Sequence, residues 1–165
     1  GHPVAWRRRL SRASTWPNAA KTEKYMENVA IPAMEQVATE LKNRGIEATL
    51  VSTDVSDSPI RTLDLTVNLD EEQNFRYQLY PLEYAVPSFT RDTGENDEVY
   101  YRIEVFDNTG SLGYDVYGYT VEQLIDNILD LYERHLEFLH MQRDLPGSSD
   151  MSGGAEPIRD WSETS

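Results

Sequence analysis

Apolar residues recur along this chain with two different periods, and the switches between them separate helices from strands. Tyr25, Met26, Val29, Ala30, Met34, Val37 and Leu41 fall three and four apart, the spacing of one helix face. They predict a helix from about Thr22 to Arg44. Thr22 is a candidate N-cap, and Pro17-Asn18 offers an earlier start. Gly45 suits the position just past the last turn. Pro32 lies inside the pattern, removes a backbone donor and is expected to kink the helix or split it in two. A static kink that fits the helix to a curved sheet is the plain reading, and a hinge is the functional one.

The period then drops to two. "IEATLVST", from Ile46, is short and rich in β-formers. In "RTLDLTVNL", Leu63, Leu65, Val67 and Leu69 share one face, with Thr62, Asp64, Thr66 and Asn68 opposite. "NFRYQLYPLEYAV" alternates as Phe75, Tyr77 and Leu79. Pro81 is expected to end its pairing there or to mark an edge or bulge. "EVYYRIEVFD" puts Val99, Tyr101, Ile103 and Val105 together, with Tyr100, Arg102 and Glu104 opposite. "GYDVYGYT" alternates Tyr114, Val116 and Gly118. "DEEQN" and "DNTGSLG" are hairpin-like links, and "SFTRDTGENDE" is a longer acidic loop expected to be mobile.

Helical spacing returns at Thr120, which forms a T-x-x-Q capping box with Gln123. Val121, Leu124, Ile125, Ile128, Leu129, Tyr132, Leu136 and Leu139 form the expected buried stripe. The order is α-β-β-β-β-β-α. It predicts an α+β fold of two layers: a meandering antiparallel sheet of about five strands, with the N-terminal and C-terminal helices packed on its one apolar face. The expected division is a basic arm over residues 1–17, a domain over 18–143, and a Pro/Gly/Ser-rich acidic tail over 144–165. Trp161 in that tail reads as a loose tryptophan or a docking residue.

The end of the last helix, "YERHLEFLH", tests whether the chain carries chemistry. Two histidines that chelate one metal from a helix need i, i+4 spacing and a nearby glutamate base. His135 and His140 are five apart, about 140° round the helix, and Glu133 and Glu137 face outward. No metal site is expected. His135 falls in the apolar stripe, as a partly buried histidine meeting an acceptor from the sheet; a pH-sensing role is the alternative. His140 and Arg143 complement the dipole at the helix C-terminus. Phosphate-binding glycine loops, G-x-S-x-G and H-E-x-x-H are all missing. No catalytic residue and no cofactor are expected, and the chain does not read as an enzyme.

Charge sharpens this picture. The 165 residues carry a formal net charge of −14 and no cysteine. So acidic a chain repels nucleic acid, and it has neither disulfides nor thiol chemistry. Scarce lysine and an acidic surface fit a salty cytoplasm. The charge is also split. Arg7, Arg8, Arg9 and Arg12 come before the first acid, Glu23. They read as a disordered basic arm or, with Trp6 beside them, as a juxtamembrane segment that contacts anionic lipid. Gly1-His2 reads as a cloning remnant, so the natural sequence is expected to extend upstream. No stretch reaches the roughly 18 apolar residues of a membrane span.

Ten tyrosines remain to be placed. Tyr100, Tyr101, Tyr114, Tyr117 and Tyr119 cluster on what read as two adjacent strands. An aromatic cross-strand ladder is the structural reading. The functional one is a partner surface built on Tyr100, Arg102, Tyr117 and Tyr119, or a site for a quaternary ammonium ligand.

These same segments carry a family resemblance. "YYRIEV", "YDVYGYT" and the helix ending "YERHLEFLH", with the earlier "YMENVAIPAMEQVATEL" and its proline, resemble the cytoplasmic C-terminal region of BetT-type members of the betaine–choline–carnitine transporter family. The resemblance covers roughly Tyr25 to Met141. It implies a regulatory domain at the cytoplasmic face of the bacterial inner membrane. Its partner would be the membrane-embedded part of an osmoregulated choline or betaine carrier coupled to sodium or protons. Arg7, Arg8, Arg9 and Arg12 would then follow the last membrane helix. The family's substrate-binding aromatic residues lie in membrane helices, so none is assigned here. A free-standing dimeric binding or chaperone-like domain is the alternative, and self-association is left open.

Overall fold

The computed structural model describes residues 16–86 and 99–144. Arg7, Arg8, Arg9, Arg12, the acidic loop after Val86, and the tail with Trp161 lie outside the described residues. The chain divides into two compact units, Gly1–Leu129 and Asp130–Ser165.

In the first unit, helix α1 (Ala19–Tyr25) starts at Asn18, whose side chain accepts from the Lys21 amide at 2.9 Å. The earlier of the two candidate starts is therefore used, and Thr22 is buried inside the helix. A π-helical turn (Met26–Ala30) follows, then helix α2 (Ile31–Asn43) with Pro32 in its first turn. The proline stands where the π-helical turn gives way to α2. The backbone stays right-handed through Met26 and Ile31, and the wide turn precedes the ring that cannot donate. α2 ends in a Schellman arrangement: Gly45 adopts φ 82°, its N–H donates to Lys42 O at 2.9 Å, and the Ile46 N–H donates to Leu41 O at 2.9 Å.

Five strands follow: β1 (Glu47–Thr53), β2 (Thr62–Asn68), β3 (Phe75–Ala85), β4 (Val99–Asp107) and β5 (Gly110–Asp115). They pair in chain order as an antiparallel meander. Leu63, Leu65 and Val67 pair with Leu79, Tyr77 and Phe75, and all six are buried. Tyr101, Ile103 and Val105 continue the same face on β4. Helix α3 (Val121–Asp144) begins at the expected capping box. The Thr120 amide donates to Gln123 Oε1 at 3.0 Å, and the Gln123 amide donates to Thr120 Oγ1 at 3.1 Å. Its Leu124 and Ile128 are buried, and the Tyr77 hydroxyl donates to Asn127 Oδ1 at 2.7 Å. The Asn127 amide donates in turn to the Tyr114 hydroxyl at 2.8 Å. Burial, then the neighbouring Tyr114, Tyr25 and Tyr119, push the Tyr77 hydroxyl well above its ordinary pKa. This is the expected two-layer α+β arrangement.

One strand expectation holds, in the form of an edge at Pro81, and another needs correction. β3 runs through Pro81 and stays paired with β4 as far as Ala85, whereas its pairing with β2 stops at Leu79. The ring therefore sits where one side of β3 is an edge, the position a residue without an N–H tolerates. β5 ends at Asp115, so Val116 and Gly118 do not continue it. The Asp115 carboxylate accepts from both the Ile103 and Tyr117 amides at 2.9 Å, which replaces the ladder and turns the chain into α3.

The second unit contributes the rest of α3. Leu131, His135 and Leu139 are buried there, while Glu133, Glu137 and His140 are exposed. Leu136, placed in the expected stripe, is 38% exposed. It lies about 100° round the helix from His135, so a narrow buried face leaves it out.

Face by face, the sheet makes a testable contrast. Leu65→Ala empties a site with no solvent exposure and should cost about 2–5 kcal/mol in urea unfolding. Val51→Ala, one strand over on the opposite face, should stay within about 0.5 kcal/mol.

Candidate functional site

The face of the sheet turned away from the helices is not uniformly polar. Its β1–β2 end is ordinary: Thr49 faces Thr66, and Asp64 Oδ2 accepts from Arg76 Nη2 and Gln78 Nε2, both at 2.8 Å. The β3–β4 end is different. Tyr84 faces Tyr100, Leu82 faces Arg102, Tyr80 faces Glu104 and Gln78 faces Phe106. Period two puts these side chains on one surface because Leu79, Tyr77 and Val105 occupy the other.

Their contacts are organised around Glu104, a carboxylate that is only 8% exposed. The Tyr84 hydroxyl donates to Glu104 Oε2 at 2.7 Å. Arg102 Nε lies 3.0 Å from the same oxygen, an ionic contact whose N–H is not aligned as a hydrogen bond. The Arg102 guanidinium also lies over the Tyr84 ring, 5.6 Å from its centroid. Tyr84 and Tyr100 stack at 5.7 Å, and Tyr80 meets Phe106 at 4.8 Å. Trp16 completes the cluster, edge-on to Tyr100 at 4.8 Å. A backbone bond fixes it there, since the Tyr101 N–H donates to Pro17 O at 2.9 Å.

The four residues expected to form one partner surface are divided. Tyr100 and Arg102 lie together on this open face. Tyr117 and Tyr119 lie past β5, beside helix α1. The Tyr117 ring is 5.2 Å from that of Tyr25. The Tyr25 hydroxyl shares its proton between Val116 O at 3.0 Å and Tyr119 O at 2.9 Å. That pair closes the covered side of the sheet. Sequence reasoning missed Trp16, Tyr80, Leu82, Tyr84, Glu104 and Phe106 as members of the open patch. A signal was present after Pro81, where Leu82 and Tyr84 make the supposedly polar phase of the strand apolar.

The patch can hold flat apolar or aromatic groups and can offer a cation beside them. Among the described residues no group of three or more histidines, aspartates or glutamates is placed to hold a metal. His135 lies in the second unit, buried on α3.

One titration reports on this centre. The Tyr84 hydroxyl is raised above its ordinary pKa, first by its hydrogen bond to Glu104, then by burial and the Glu104 charge, against a lowering by Arg102. Its contribution to stability is therefore full below about pH 10 and is lost as pH rises through the higher folded value. Glu104→Gln should move the Tyr84 step to lower pH in an absorbance titration at alkaline pH, with Tyr84→Phe identifying the step. An unchanged curve would show that the carboxylate does not hold this hydroxyl.

No protein-family model matches the chain. Individual relatives do. The high-affinity choline transport protein of Escherichia coli K12 is 45% identical over 149 residues, which is 90% of this chain and 22% of that protein. The osmo-dependent choline transporter BetT2 of Acinetobacter baylyi is 39% identical over 144 residues, 87% of this chain and 21% of the relative. A glycine betaine transporter of the same species is 33% identical over 150 residues, 89% of this chain and 22% of the relative. The chain thus spans about a fifth of the length of the curated relatives it matches. The likeness covers about nine-tenths of the chain, which is thus similar to one segment of BetT-type choline transport proteins.

Proposed function

We propose that this chain is the cytoplasmic C-terminal regulatory domain of an osmoregulated choline- or betaine-type secondary transporter, and that it modulates transport without catalysing a reaction. One observation carries the reading. Nine-tenths of the chain matches about a fifth of a choline transport protein, yet no helix of the described residues is long and apolar enough to cross a membrane. The matched segment is then a part of the carrier other than its spans. One relative's name adds osmotic dependence.

The split charge supplies a mechanism. Arg7, Arg8, Arg9 and Arg12 precede a strongly acidic body. Such a head adheres to anionic lipid at the cytoplasmic surface, while the body is repelled by it. Exposed charge contacts weaken as ionic strength rises, because the screening length falls from about 10 Å at 0.1 M to about 3 Å at 1 M. A rise in cytoplasmic salt would then change what the arm and the body touch.

Two measurements test this. In proteoliposomes, full-length transporter lacking the segment equivalent to residues 18–144 should still carry choline but lose its activation by osmolality. An unchanged activation curve would contradict the regulatory role. Changing the four arginines to glutamine should lower co-sedimentation of this chain with phosphatidylglycerol vesicles. At about 1 kcal/mol per residue, the loss should be on the order of a thousandfold. Equal binding by the two forms would remove the arm from the mechanism.

A further inference from the structure

The open face between β3 and β4 is more than an uncovered layer. A solvated sheet face carries threonines and charges, as the β1–β2 end does here. The β3–β4 end instead presents Tyr80, Leu82, Tyr84, Tyr100, Arg102 and Phe106. Tyrosine, tryptophan and arginine are the residues enriched at the energetic centres of protein interfaces. They are also held in place. Glu104 fixes Tyr84 and Arg102 together, and the stacked rings limit one another. Little side-chain freedom is left to lose when something docks.

We infer that this patch is where the domain docks on the membrane-embedded remainder of its own polypeptide, an inference that rests on the functional reading above. The path of the chain selects that occupant. Trp16 lies on Tyr100, and Pro17 O is bonded to β4, so the chain enters the fold at the rim of the patch. The 15 residues before Trp16 reach at most about 50 Å when fully extended. Whatever precedes them is tethered near this face at an effective concentration in the millimolar range. A tethered surface fills a modest site ahead of free partners. The relatives carry nearly four-fifths of their length outside the matched segment, so material for that surface exists.

The patch also defines what would fit it. The Arg102 side chain is 32% exposed, and its ion pair with Glu104 is made through Nε. Leu82 and Phe106 flank it as half-buried apolar surface. The matching feature is a loop or helix C-terminus that offers carbonyl oxygens beside an aliphatic or aromatic side chain. Such a contact is mainly apolar. It persists at salt concentrations that release the arginine arm, and so can hold the domain on the carrier after the arm has left the lipid.

The test uses full-length transporter in proteoliposomes with a photo-reactive benzoylphenylalanine at position 84 or at position 51. Position 84 should crosslink to peptides of the membrane-embedded part of the same chain. Position 51, on the same face at the β1–β2 end, should not. Leu82→Arg should abolish the crosslink and shift the osmolality of half-maximal activation while leaving maximal transport unchanged. Arg102→Gln, a milder change, should shift it in the same direction, and circular dichroism of the isolated chain verifies that both variants fold. Crosslinks from position 84 to a second copy of this domain, to lipid, or to nothing would overturn the docking inference. If deleting the domain abolishes activation while position 84 crosslinks elsewhere, the functional reading stands and the docking face falls. If deletion changes nothing while the crosslink forms, the contact stands and its regulatory meaning falls.

Discussion

Sliding β2 by one residue against β3 would turn Leu63, Leu65 and Val67 out to water, and the rest of this fold depends on that not happening. Each buried aliphatic side chain contributes roughly 1.5–3 kcal/mol relative to its exposed state. The three together make the register far more favourable than its neighbours. That register aligns Leu65 with Tyr77 and Leu79 with Val105, which builds the apolar floor under the helices. It also fixes what the other face shows. Once Tyr77 points inward to reach Asn127, Tyr80 and Tyr84 must point outward.

The β4 side of the sheet is finished with single groups instead of a further strand. Beyond β5, the backbone of β4 is satisfied by the Asp115 carboxylate, the Val116 amide and the Pro17 carbonyl. These bonds occupy backbone groups of β4 that β5 does not reach. They also tie the incoming segment to the aromatic patch. Edge protection and the route of the chain are thus one arrangement, and it places Trp16 where a tethered neighbour would meet the sheet.

Much of this was legible in the sequence because it is periodic or local. The T-x-x-Q box, Gly45 after the first helical segment and the alternation of β2 and β4 each follow from a few adjacent residues. The rest depends on long-range geometry. Trp16 lies in a stretch without periodicity, and only the bond from the Tyr101 amide to Pro17 O places it. Leu82 and Tyr84 follow a proline and alternate with Pro81, Glu83 and Ala85, so apolar residues fall on both faces and alternation could not say which face was free. Tyr117 and Tyr119 looked like strand residues until Asp115 ended β5. Leu136 matched a helical stripe that proved narrower than its apolar residues. His135 and His140, five residues apart on one helix, end up buried and exposed respectively.

A domain with one sealed face, one organised aromatic face and a basic leader is suited to moving between contacts without changing its own fold. The most direct test of that idea is a distance. Spin labels would be placed at Val51 and on a membrane helix of the full-length transporter, and the distance distribution recorded below and above the activating osmolality. Two populations whose ratio shifts with activation are predicted. A single distribution, unchanged while transport rises, would contradict the account.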